Sequence, residues 1–144
     1  PGVDALIAPL FLAVVVLCAW IDVLSYRIPD RIVLSFLACA VLLDFLGGGL
    51  NLERIASAGL TSGVLFLAGR LSGSGIGFGD VKLGAAGGYA LGLLGAWVML
   101  AVAVLLGLLA FALRAGKSRE GSERLPFGPL LALGAVAGAW MGLR

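Results

Sequence analysis

Apolar residues fill this chain in long runs, and short clusters of Gly, Pro and charged residues separate them. The runs cover residues 5–24, 32–46, 55–71, 81–113 and 126–143. Polar interruptions sit near their ends: Asp22 closes the first run and Asp44 the second. A helix crosses a hydrocarbon core of about 30 Å with about 20 apolar residues, so most of these runs read as single membrane spans. The stretch 81–113 is different, because its 33 residues would make one helix roughly 50 Å long. Tilt absorbs only part of such an excess. Gly92-Leu93-Leu94-Gly95 offers a place to turn, so the stretch divides into two helices. The pattern therefore predicts an all-α, polytopic bundle of six transmembrane helices, the fourth beginning near residue 80.

Composition sharpens this reading. Of the 144 residues, 61% are hydrophobic and only 12% charged, about half the usual supply in soluble domains. Mean hydropathy is +1.13, too high for a water-soluble globule, and residues 1–144 read as one integral membrane domain in a lipid bilayer. The first run is followed by others, so it reads as a true span and not as a cleaved secretory signal. There is no His, which excludes a Ser-His-Asp triad, a Cys-His dyad and any His-ligated metal. Cys18 and Cys39 stand singly in apolar runs, so neither a four-Cys zinc site nor a disulfide framework is expected. No cofactor, metal or nucleic-acid partner is implied.

Charge placement orients the spans. Arg27, Arg31, Arg70, Lys82, Arg114, Lys117, Arg119 and Arg124 fall in loops on one side, against Arg54 and Arg144 on the other. Basic loops stay in the cytoplasm, so both termini face outward. Gly84/Gly88, Gly88/Gly92, Gly134/Gly138 and Gly138/Gly142 have the small-xxx-small spacing that lets membrane helices approach closely.

Carboxylates in apolar spans are costly and face a partner or a wet cavity. Asp22 and Asp80 fall at the cytoplasmic side of the first and fourth spans, and Asp44 toward the outer end of the second. Asp80 ends a run with Gly at alternate positions, Gly73, Gly75, Gly77 and Gly79, which is either an inter-helix loop capped by Asp80 or a backbone shaped to meet an extended peptide. It is not a phosphate loop, because no Gly-Lys-Ser/Thr follows. Asp30 after Pro29 stands where a helix N-cap belongs. Lys82 does not share a helix face with Asp80, and its default is to snorkel toward headgroups.

Three segments together resemble the type IV prepilin peptidases, membrane aspartyl proteases. Gly77-Phe78-Gly79-Asp80-Val81-Lys82-Leu83 resembles their GxGDxKL signature. Asp22 followed by Pro29-Asp30 resembles their first motif, and Leu125-Pro126-Phe127-Gly128-Pro129 a third segment before the last helix. The resemblance implies that Asp22 and Asp80 are the catalytic pair, that Gly77 and Gly79 shape the loop, and that Pro29, Asp30 and Lys82 belong to the motifs. It implies cleavage of a short basic leader from pilin-like precursors at the cytoplasmic face of a bacterial or archaeal membrane, in pilus biogenesis or type II secretion. With only 28 residues before Pro29 and no Cys-rich segment, the chain resembles the short, peptidase-only form.

Two aspartates suffice for such chemistry, one taking a proton from water and one donating a proton to the carbonyl oxygen. Asp80 stands at a helix N-terminus, which favours its anion, and Asp22 near a C-terminus, which disfavours it. On this reading Asp80 is the base and Asp22 the acid. Asp30, Glu120 and Glu123 are the acidic candidates to meet a basic leader. Competing readings are a presenilin-like intramembrane protease, which shares GxGD, a small proton-coupled transporter, and an assembly subunit whose aspartates only cap helices.

Overall fold

A computed structural model describes residues 4–25, 28–72, 77–114 and 128–142. They form five α-helices: α1 (Asp4–Ser25), α2 (Asp30–Gly47), α3 (Leu52–Ser72), α4 (Phe78–Arg114) and α5 (Gly128–Gly142). The all-helical expectation holds. The expected six separate helices do not appear as such, because the fourth and fifth are one element. Inside α4, however, Gly92 has φ 69° and ψ −177°, a conformation open essentially to Gly alone. Gly87 and Met99 flank this point, and a methyl on Gly87 would come within 2.6 Å of Met99 Cε. Along an unbroken helix those twelve residues would span about 18 Å, so the two halves of α4 fold back on each other at Gly92.

Local signals fix the ends of the other elements. Gly48 and Gly49, both at positive φ, stop α2, and the Gly49 N–H donates to the Asp44 carbonyl at 3.1 Å. Asn51 starts α3, its Oδ1 accepting from the N–H groups of Glu53 and Arg54 at 3.0 and 3.4 Å. This is the usual N-cap arrangement.

Each half of α4 has its own partner. Gly84 and Gly88 of the first half meet α3: a methyl on Gly88 would lie 2.6 Å from the Ser57 carbonyl oxygen, and one on Gly84 would strike Leu65. In the second half, Met99 and Gly95 present backbone to Gly134 and Gly138 of α5, where added methyls would strike the carbonyls of Met99 and Gly95. The expected small-residue contacts are thus found at Gly84, Gly88, Gly134 and Gly138, whereas Gly92 makes the bend. Lipid is as apolar as the side chains, so close packing of this kind is what holds such helices together.

The core is a stripe along each helix. Ile7, Phe11, Val15 and Cys18 of α1 are fully buried, and the same stripe ends in Asp22. In α2 the stripe is Val33, Phe36, Ala40 and Asp44, with the Phe36 ring 5.5 Å from that of Phe11. The outward faces are also apolar, with Val16, Trp20, Leu24, Leu46 and Leu105 all more than half exposed. Contiguous apolar surface on this scale is foreign to a water-soluble monomer. Two stretches, Leu6–Ser25 and Phe78–Ala110, are long and apolar enough to cross a membrane.

The bend gives a direct test. Gly92→Ala is expected to lose about 1–3 kcal/mol, the cost of forcing a side chain into this region. Gly88→Ala should lose a similar amount through overpacking against α3. Gly59→Ala, where nothing lies within 4 Å of the new methyl in the interior of α3, should lose nothing and gain up to about 1 kcal/mol of helix propensity. Thermal unfolding of the three variants in detergent checks the order; equal melting for all three would contradict it.

Candidate active site

Two carboxylates that are distant in sequence are buried at one end of the bundle. Asp22 and Asp80 are each 6% exposed and close enough for their charges to act on each other. Asp22 comes from the last turn of α1 and Asp80 from the first turn of α4.

Each carboxylate is held by a backbone N–H at the start of a helix. Gly77 precedes α4, and its carbonyl accepts from the N–H groups of Asp80 and Val81 at 3.0 and 3.4 Å. Asp80, three residues on, returns its Oδ2 to the Gly77 N–H at 2.9 Å. This is the acidic half of a capping box, built by the Gly77-x-x-Asp80 spacing. The expected cap is therefore present, with Asp80 closing the first turn of α4. Asp22 Oδ2 accepts from the N–H of Gly128, the first residue of α5, at 3.0 Å. A methyl on Gly128 would lie 2.7 Å from that same oxygen, so only Gly lets the carboxylate reach the helix start.

This changes the electrostatic expectation. Asp22 ends α1, but its carboxylate rests on the N-terminus of α5. Both carboxylates therefore receive a positive helix end and one N–H donor, while Asp22 also stays in the last turn of α1, so helix ends alone do not rank the two. In both, Oδ2 is committed to the backbone.

The motif residues around the pair divide into those the fold uses and those it uses otherwise. A methyl on Gly79 would come within 2.9 Å of Ile28 Cβ, so Gly79 lets the α1–α2 connection lie against the start of α4. Gly77 has room, its added methyl standing 3.5 Å from Asp80 Oδ2. Pro29 occupies the N-cap position of α2, with no side-chain cap bond. Asp30 is the first residue of α2 and not its cap, and its Oδ2 accepts from Lys82 Nζ at 2.6 Å. Lys82 accordingly pairs inside the motif set instead of reaching freely for headgroups, and its Nζ also stands 5.3 Å from the Phe78 ring centre.

Asp44 belongs to the other end. It is buried, and accepts from the Tyr89 hydroxyl at 2.8 Å and from Arg54 at 3.4 Å. Nearby on α3, Ser57 Oγ is buried without a hydrogen-bond partner. Among the described residues no three His, Cys, Asp or Glu side chains gather to hold a metal ion.

Gly128 is the residue that sequence reading left without a role. The signal was present in its segment, Pro126-Phe127-Gly128-Pro129, but nothing local says that its N–H meets Asp22 across 106 positions. Tyr26, Arg27, Gly73, Gly75, Glu120, Glu123, Pro126 and Phe127 lie outside the described residues.

Comparison with known proteins adds a second line. A model of the type IV leader peptidase family matches residues 9–112, which contain both aspartates and end before Gly128. The chain is similar to a prepilin leader peptidase/N-methyltransferase of Aeromonas hydrophila, with 35% identity over 153 aligned positions. That alignment takes in 97% of this chain and 51% of the relative, so the chain spans about half the length of the curated relative it matches. No solved structure matches. With its paired aspartates on the motifs and a family match over most of its length, the chain belongs to the type IV leader peptidase family.

Proposed function

We propose that this chain is an aspartic endopeptidase that removes the short basic leader from type IV pilin-like precursors. One observation carries the reading: Asp22 and Asp80, with 57 residues between them, are buried together, each on a backbone N–H that opens a helix. Capping alone does not need two such carboxylates within reach of each other's charge, since two charges sharing a site oppose each other's ionisation. Sharing one proton between them is what acid–base hydrolysis uses.

The chemistry follows from that shared proton. With Oδ2 of each residue engaged, the Oδ1 atoms are left to handle water and the scissile carbonyl. The ionised carboxylate takes a proton from water as the water oxygen attacks the carbonyl carbon. The protonated partner gives its proton to the carbonyl oxygen. As the C–N bond of the adduct breaks, the first carboxyl gives its newly gained proton to the leaving amine. The second carboxylate takes the proton from the adduct's hydroxyl, which becomes the product carbonyl, and the starting protonation is restored. Each aspartate keeps its Oδ1 clear of the backbone donor, and the substrate's approach decides which begins as the acid.

The same reading gives the topology. Each half of α4 crosses the membrane, so the five elements make six crossings, and the basic loops put Asp22 and Asp80 at the cytoplasmic face. The catalytic unit is a single domain, and its site opens to the water from which the attacking molecule comes.

Reconstitution with a pilin-like precursor tests this. Asp22→Asn and Asp80→Asn should each abolish cleavage, while Asp44→Asn should retain it per folded molecule. Cleavage that survives in either of the first two overturns the assignment. A presenilin-like activity would instead appear as cuts within the apolar segment of the substrate. A second series tests the backbone donors. Gly128→Ala should lower kcat about 10²-fold, the scale of a 1 Å misplacement of a reacting group, and Gly77→Ala, which has room, should lower it far less. Equal losses would refute the role given to Gly128.

A further inference from the structure

The pairing of Asp30 with Lys82 joins two motifs that are 52 residues apart, and its position says what it does. Asp30 is 54% exposed and Lys82 25%, so the pair lies at the rim of the site while Asp22 and Asp80 lie inside. Lys82 follows Asp80 by two residues, which on a helix is a rotation of about 200°. With Lys82 drawn to α2, Asp80 is turned to the opposite side of the same turn. Asp30 is in turn tied to Asp22 by the short connection between α1 and α2. The chain from Asp22 to Asp30, the ion pair, and the two residues from Lys82 back to Asp80 therefore make one path that links the two carboxylates. Ile28 lies against Gly79 beside that path.

We propose that the Asp30–Lys82 ion pair is a latch that sets the rotation of the first turn of α4 and so aims Asp80 at Asp22. Asp30 and Lys82 are positioning residues on this view and do not touch the scissile bond. The pair is the polar tie between the first turn of α4 and α2, beside the apolar contacts of Gly79 with Ile28 and of buried Leu83. Direct packing between α1 and α4 is slight compared with what α3 and α5 make with α4, and those contacts lie along Gly84, Gly88, Gly95 and Met99, deeper in the bundle. An exposed ion pair contributes little to global stability, so its loss should leave the bundle folded and disturb only the orientation of its first turn.

The catalytic consequence rests on the peptidase reading above, but the geometric one does not, and the experiment reads both. Spin labels on Leu24→Cys and Phe78→Cys, in a Cys39→Ser background with Cys18 buried, report the α1–α4 separation by pulsed dipolar spectroscopy. Asp30→Ala and Lys82→Met should each broaden the distance distribution, and the swapped pair Asp30→Lys with Lys82→Asp should narrow it again. Unchanged distributions in both single variants overturn the latch, whatever the substrate proves to be. In the cleavage assay each single variant should lose kcat roughly tenfold or more with KM unchanged, because a displaced reacting group loses rate. The double variant should lose no more than either single, and the swap should recover most of the loss. A raised KM confined to the Asp30 variant, cancelled by reversing the leader's charge, would show that Asp30 meets the leader and would reject the latch. If the wild type cuts no pilin-like precursor, the peptidase reading fails and the spin-label result still decides the geometry.

Discussion

Burying a carboxylate among apolar helices is the demand around which this bundle is arranged. A charge moved out of water must be met by hydrogen bonds or by an opposite charge, and this chain has few cations to give. Near Asp22 and Asp80 it uses the cheapest donors a helical protein has, the unsatisfied N–H groups at helix starts. Gly77 serves Asp80 and Gly128 serves Asp22. Because a helix start must come to each carboxylate, the beginnings of α4 and α5 are drawn to the end of α1. The end of the bundle that carries the site is thereby defined.

Asp44 solves the same problem by other means. It has a Tyr hydroxyl and an Arg, on α4 and α3 respectively, and these satisfy it completely enough to leave it a structural tie. The contrast separates two kinds of buried acid in one small protein. A carboxylate bonded to a single backbone N–H keeps an oxygen available for chemistry, whereas one matched by a hydroxyl and a guanidinium does not. Three acids in apolar helices thus divide by their partners, not by their depth.

Close backbone contact is the other condition. Gly88 lies on the Ser57 carbonyl, and Gly134 and Gly138 lie on the carbonyls of Met99 and Gly95. These contacts fix α3 and α5 against the two halves of α4, and the bend at Gly92 lets one continuous element meet both. A side chain at any of these positions would separate the helices, and the carboxylates at the bundle's end would separate with them. Glycine content, high for a helical protein, is therefore a requirement of the site as much as of the fold.

Much of this was legible in the residues themselves. The all-helical class, the approximate helix limits, the close-packed glycines and the placement of Asp22 and Asp80 at helix ends follow from run length, spacing and charge, which are local properties. The turn near Gly92 was legible too, because a stretch of 33 apolar residues exceeds one bilayer crossing. What the sequence could not supply was any pairing between elements. The helices are apolar on every side, so no polar face marks the stripe from Ile7 to Asp22 as the buried one. Asp30 reads as a cap and Lys82 as a free cation until α2 and α4 are set beside each other. Gly128 has no role of its own in the sequence until its N–H is found on Asp22, 106 positions away. Local chemistry determined which groups this protein has to work with; only the packing of helices, which depends on distances between residues far apart in the chain, decided which of them meet.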